Sequence, residues 1–219
     1  MAKKGKGYIW VPGEDPPPIE PHSIAKHEVV YEYVKRYIGI LCSGIRQSEL
    51  KLTLVDGFAG GGLYRDRQTD EIRHGSPLRL LEAVADGTAE AVKARLAQGI
   101  KSPVQISPEF HFVDHQPQTV EFLRLTLAER GWQKLLGRNV HLHTTEFESV
   151  CDDIVDTISA RGTARRSIFL LDQYGYKDVP FPLIRRILKR LPNAEILFTF
   201  ATDALTNYLC EKNREYYKR

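Results

Sequence analysis

The chain has 219 residues, 42% apolar and 27% charged, with a net charge of +3. Those are the proportions of a globular chain with an ordinary core, and they exclude a disordered tail or a collagen-like rod. No apolar run reaches the roughly 18 residues of a membrane span, and the opening Met1-Ala2-Lys3-Lys4 leads into no apolar stretch, so neither a membrane anchor nor a secretory signal is expected.

In chain order, residues 1–21 read as an extended leader. Lys3, Lys4 and Lys6 open it; Pro12, Pro16, Pro17, Pro18 and Pro21 forbid helix and central strand, and Tyr8, Ile9 and Trp10 can dock it. Residues 22–219 read as one domain. From Ala25, the residues Val30, Tyr33, Val34, Tyr37, Ile38 and Leu41 recur at helical spacing and predict an amphipathic helix ending near Ser43-Gly44.

Five short apolar runs then predict buried strands: Leu52–Asp56, Phe110–Asp114, Val140–His143, Ile168–Asp172 and Ile196–Phe200. Helical patterns lie between them over Leu78–Ala85, Thr119–Arg130, Glu148–Ala160 and Phe181–Arg190, with an extra Ala-rich stretch at about Thr88–Gln98. Strand alternating with helix implies an α/β fold, with parallel pairing, right-handed crossovers and helices on both faces of the sheet.

Cys42, Cys151 and Cys210 are far apart and form no Cys-x-x-Cys pair, so each reads as a small buried apolar residue in a reducing, cytoplasmic setting. His141 and His143 share a strand face, but two ligands are too few for a metal site and none is expected.

Asp56, Asp114 and Asp172 each close a predicted strand. Ligands of open parallel sheets lie outside the carboxyl ends of the strands, so these acids mark the functional edge. Asp56 runs into Gly57-Phe58-Ala59-Gly60-Gly61-Gly62, where glycines permit a tight turn and a close approach. No Lys-Ser or Lys-Thr follows them, which excludes a P-loop, and the next helix starts only near Gly75-Ser76-Pro77. Asp114 stands where a carboxylate holds ribose hydroxyls, or where it caps the following helix. Glu146-Phe147 offers an acceptor and a ring for a purine, or one polar loop with a core Phe. Asp172-Gln173-Tyr174-Gly175-Tyr176 delivers an acid, an amide and two aromatics that accept an amine and stack a planar group, or a strand-end turn with rim tyrosines. Arg185, Arg186, Lys189 and Arg190 share one helix face, which suits a phosphate backbone or a solvated surface.

Taken together, these motifs resemble class I S-adenosylmethionine-dependent methyltransferases, whose fold is Rossmann-like. Val55-Asp56-Gly57-Phe58-Ala59-Gly60-Gly61-Gly62 is similar to the first motif of the DNA-adenine amino-methyltransferases. More closely, Lys26-His27-Glu28, Asp56-Gly57-Phe58-Ala59-Gly60, Gly75-Ser76-Pro77-Leu78 and Asp172 to Pro180 resemble the bacterial three-Cys-motif partner proteins, the TcmP family. The resemblance implies S-adenosylmethionine as cofactor, bound by Lys26, Asp56, Phe58, Gly60, Gly62 and Ser76, with Asp56 and the glycines at its methionine part. It places Asp114 on the ribose, Glu146 and Phe147 at the adenine, and Asp172, Gln173 and Tyr174 at the catalytic position. Tyr176 with Arg185, Arg186, Lys189 and Arg190 would then meet a nucleic acid whose base receives the methyl group, and a three-Cys-motif protein is the implied partner.

Two departures stand out. Asp172-Gln173-Tyr174-Gly175 lacks the prolines of Asp-Pro-Pro-Tyr and of the family's Asp-Pro-Phe-Gly. The family's sheet has seven strands, the last two an antiparallel pair, whereas five are found here; the expectation is a chain truncated before that edge. Two rival expectations remain: a non-catalytic partner-binding protein on the same fold, and a metal-dependent nucleotide hydrolase holding magnesium on Asp56, Asp114 and Asp172.

Overall fold

The computed structural model describes residues 8–45, 49–162, 165–172 and 179–199. After a two-residue strand β1 (Pro18–Ile19) come α1 (Pro21–Cys42), β2 (Glu49–Asp56), a hairpin of β3 (Leu63–Asp66) and β4 (Ile72–His74), and α2 (Ser76–Ala97). There follow β5 (Gln105–Asp114), α3 (Pro117–Leu127), β6 (Val140–Thr144), α4 (Phe147–Ala160), β7 (Arg165–Leu171), α5 (Phe181–Arg190) and β8 (Ala194–Phe198).

The five long strands form one parallel sheet in the order β6-β5-β2-β7-β8. The chain winds outward from β2 through β5 to β6, then returns to β7 on the other side. The fold is therefore α/β and Rossmann-like, with its switch point between β2 and β7. Strand alternation divides the core in two. Leu50, Leu52, Leu54, Phe110, Phe112, Ile168 and Leu170 face α1, α2 and α3, while Val55, Val113, Phe169 and Leu171 face α4 and α5. Helices cover both faces, which is why apolar residues occupy both faces at the strand ends, as at Leu54–Val55 and Phe112–Val113.

The α1 stripe of His27, Val30, Val34, Ile38 and Cys42 is buried. The two helical stretches expected after the first strand are one helix, α2, running straight through Gly87. A β-carbon at Gly87 would stand 2.8 Å from the Lys35 carbonyl oxygen of α1, so this glycine marks a close helix crossing, not a break. Arg95 of α2 is buried and donates to the Cys42 and Gly44 carbonyls, meeting acceptors that the end of α1 leaves free.

The polar stretch between the glycine turn and α2 forms a second, small sheet, β1-β3-β4, which the sequence pattern did not predict. β1 pairs with β3 in parallel, and Trp10, Ile19, Tyr64 and Phe122 make its own apolar cluster. Cys42 and Cys151 are buried free thiols; Cys210 lies outside the described residues. Among the described residues no helix is long and apolar enough to cross a membrane.

Candidate functional site

The three strand-end acids have the same sheet parity. Asp56 pairs in register with Phe112 and Leu170, and Asp114 and Asp172 each stand two residues further along β5 and past β7. Even-numbered neighbours on all three strands face α1 to α3, so the carboxylates follow that face at the switch point.

Asp56 is 1% exposed. Its Oδ1 accepts the Phe58 amide at 3.1 Å, and its Oδ2 is buried with no hydrogen-bond partner among the described residues. Burial pushes its carboxyl up to about 7; the Ser76 hydroxyl and the Phe58 amide draw it down, while Asp172 and Asp114 push it further up. Burial also raises the Asp114 carboxyl, opposed by the Gln116 amide, which donates to Oδ1 at 2.8 Å. Asp172 is partly exposed, and Lys26 Nζ of α1 reaches its Oδ2 at 2.5 Å. Beside Lys26, burial holds the His27 imidazole down at about 4, with Asp172 pulling it up.

The glycine turn is fixed to both neighbouring strands. Gly57 donates to the Leu170 carbonyl of β7 at 3.0 Å, and Ala59 to the Val113 carbonyl of β5 at 2.9 Å. Gly60 and Gly62 have φ of +61° and +80°, which only glycine adopts without strain. Over this turn lies Trp10. A β-carbon at Gly60 would be 2.7 Å from the indole, and one at Gly61 only 2.3 Å. Trp10 is 4% exposed and donates Nε1 to the Leu63 carbonyl at 2.7 Å. The close approach that the glycines permit is thus taken by the chain's own leader.

The remaining expected residues are distributed unevenly. Ser76 is buried at the start of α2 beside Asp56. Phe58 is half-buried, and Phe147 is buried beneath Gly57, whose added β-carbon would stand 3.1 Å from its ring. Glu146 is exposed, one residue ahead of α4. Gln173, Tyr174 and Tyr176 lie outside the described residues. On α5 the basic face is partly neutralised: Arg186 pairs with Asp152 of α4 at 3.2 Å, and Arg190 pairs with Asp152 and Asp156. Arg185 and Lys189 are exposed and have no carboxylate partner among the described residues.

The three acids do not gather into a metal-binding cluster. Among the described residues, the group whose donor atoms lie within 4.8 Å of one another is Glu109, His111 and His141, on β5 and β6. Sequence spacing paired His141 with His143 and passed over the other two; the alternation Glu109-x-His111 was the available signal, but it becomes a site only once β5 lies beside β6.

The acids and the glycine turn thus share one edge of the sheet. The buried Asp56 Oδ2 makes no hydrogen bond among the described residues, although the Ser76 hydroxyl beside the carboxyl draws it down, and the Asp114 carboxylate stands at the end of the neighbouring strand. No family model matches the chain. No curated protein matches it either. A solved structure of a methyltransferase from Geobacter sulfurreducens aligns with a TM-score of 0.34 at 14% identity, over 82% of this chain and 67% of that one.

Proposed function

We propose that this chain is an S-adenosylmethionine-dependent methyltransferase whose acceptor is a nucleic-acid base. The observation that carries the reading is the fully buried Asp56 carboxyl at the switch point, its Oδ2 without a hydrogen bond among the described residues and Ser76 beside it, with Asp114 and Asp172 on the same sheet face. A buried carboxylate oxygen without a donor costs stability unless a ligand supplies one, and an ammonium group is the donor that gains most from it.

When bound, the cofactor supplies a methyl group made electrophilic by a sulfonium. The chain's own part is placement. Asp56 receives the cationic end, Asp114 accepts from a hydroxyl pair, and the Gly57–Gly62 turn fixes the backbone between β5 and β7. Asp172, partly exposed, accepts a hydrogen bond from the acceptor amine and aligns its lone pair. Lys26 now holds that carboxylate; both side chains are about one-third exposed, so the pair is weak and opens to an incoming amine.

The expected result for Asp172→Ala is loss of methyl transfer by at least about 100-fold, with cofactor affinity within about threefold of wild type. Calorimetric titration with S-adenosylmethionine, alongside a transfer assay on DNA and RNA, checks both arms. Lost cofactor binding would make Asp172 structural. If nucleic acid reaches the α5 face, the open cations are Arg185 and Lys189. The slope of log K against log salt should then be near −2, not the roughly −4 of four free cations, and Arg185→Glu with Lys189→Glu should flatten it.

One observation favours a second reading. Trp10 fills the space over Gly60 and Gly61, as expected of a fold retained for binding a protein partner, such as a three-Cys-motif protein, with no cofactor. A folded chain that binds neither S-adenosylmethionine nor S-adenosylhomocysteine would establish that reading instead.

A further inference from the structure

The strand-end site uses none of the polar side chains on the opposite face of β5 and β6. Glu109 and His111 alternate on β5, so they point the same way. His111 stands opposite His141 of β6 in register, and Val113 opposite His143, which brings both β6 histidines to the same face. That face is the one covered by α4 and α5, because Val113 packs there.

The donor atoms converge. Glu109 Oε1 is 3.2 Å from His141 Nε2 and 3.5 Å from His111 Nε2. Both contacts are short enough for ion pairs, yet neither ring nitrogen makes a hydrogen bond, and both are buried. His111 is 4% exposed, and its other nitrogen, Nδ1, lies 3.0 Å from His143 Nε2. With the Nδ1 proton donated to His143, the His111 Nε2 turns a lone pair toward the carboxylate.

The carboxylate is held from behind. Arg161 Nε lies 3.3 Å from Glu109 Oε2, and its terminal nitrogens are fixed by the Leu52 carbonyl, Thr53 Oγ1 and the Ser107 carbonyl. The guanidinium occupies one carboxylate oxygen and leaves Oε1 for the histidines. Two buried imidazole nitrogens and one carboxylate oxygen face one another with no hydrogen bond between them among the described residues, an arrangement that a bound cation would satisfy.

We infer that Glu109 Oε1, His111 Nε2 and His141 Nε2 bind a divalent transition-metal ion of the zinc class. Nitrogen and carboxylate donors suit zinc over magnesium or calcium, which prefer all-oxygen sites. His141 lies on the edge strand β6 with its side chain about one-third exposed, while its Nε2 is buried against the other two donors. His143 and Arg161 orient the ligands from outside. The ion would fasten the edge strand β6 to β5. His111 precedes Asp114 by three residues, roughly 10 Å along the strand, so this site is separate from the strand-end acids and stands whether or not those bind a cofactor.

The test uses the tag-free full chain, stripped with a chelator and titrated with Co²⁺ and then with Zn²⁺ in competition. The expected result is one equivalent of Co²⁺ with visible d–d absorption, displaced by Zn²⁺, and a thermal midpoint several degrees higher with Zn²⁺. Glu109→Gln and His141→Ala should each weaken Co²⁺ affinity by more than about 100-fold, and His143→Ala by about 10-fold. His141 is only partly buried on an edge strand, so its alanine variant tests the site even where His111→Ala fails to fold. A chain shown to be folded by circular dichroism that takes up no Co²⁺ overturns the inference. So does unchanged affinity in the Glu109→Gln/His141→Ala double variant.

Discussion

Replacing Asp56 by asparagine should make the protein more stable than wild type at pH 8 and remove that advantage by pH 4. The Asp56 carboxyl is raised from 3.8 to about 7, with burial the largest cause. Between those values the folded chain holds a proton that the unfolded chain has released. Stability from this group is therefore full below about pH 4 and is lost as pH rises through 7. Each pH unit of that interval is worth about 1.4 kcal/mol, so the whole span is roughly 4 kcal/mol. His27 and His111 act in the opposite direction. Burial depresses them to about 4 and about 3, so their contribution is present above 6.5 and lost as pH falls. The raw pH profile mixes these effects; the difference between wild type and Asp56→Asn, from urea unfolding at several pH values, isolates the carboxylate. A pH-independent difference would mean that Asp56 is ionised throughout, with an unseen partner on Oδ2.

The same linkage gives the cofactor reading a signature. A cationic ligand beside Asp56 favours the carboxylate and expels its proton. Binding of S-adenosylmethionine near pH 7 should therefore release up to one proton, visible as calorimetric enthalpies that depend on the buffer's ionisation enthalpy. In Asp56→Asn that dependence should vanish. Binding with no proton release in the wild type would place the cationic group away from Asp56.

Much of this fold was legible in the sequence because its signals are local. The α5 helix has Leu183 and Ile187 buried on one face and has the bounds its periodicity predicts. The central strands β2 and β7 carry apolar residues on both faces over Leu54–Val55 and Ile168–Leu171, so they announce themselves without their neighbours. What was not legible depends on contacts distant in sequence. Gly87 looks like a helix break until α1 is laid across it. Leu63–Asp66 is too short and polar to declare a strand, and becomes one because Pro18–Ile19 pairs with it and Trp10 packs with Tyr64. The basic face of α5 looked uniformly open, but Asp152 and Asp156, more than thirty residues earlier, claim Arg186 and Arg190. The acids of the candidate site were legible because strand-end carboxylates follow from topology alone. Their pairings were not: that Lys26 reaches Asp172 and that Trp10 covers the glycine turn follow only once the N-terminal part of the chain is laid against the sheet.

Trp10→Ala should have the second large effect, and its sign differs between two measurements. The indole is 4% exposed, packs edge-on to Tyr64 at 5.2 Å between centroids, and satisfies the Leu63 carbonyl. Truncating a buried tryptophan costs about 3–5 kcal/mol, which in a chain of this size lowers the melting temperature by roughly 10 °C. Trp10→Phe keeps most of the ring burial and loses the N–H donor, so it should cost only about 1–2 kcal/mol. Ligand affinity should move the other way. The ring occupies the space above Gly60 and Gly61 that a closely approaching ligand needs. A wild-type chain must shift the leader to admit that ligand, whereas the alanine variant leaves the turn open, so S-adenosylmethionine should bind about tenfold more tightly despite the lower stability. A less stable variant with weaker binding would instead make the indole part of the ligand's support. An unchanged melting temperature would mean that the leader's packing contributes nothing to the fold, which the buried ring and its 2.7 Å hydrogen bond argue against.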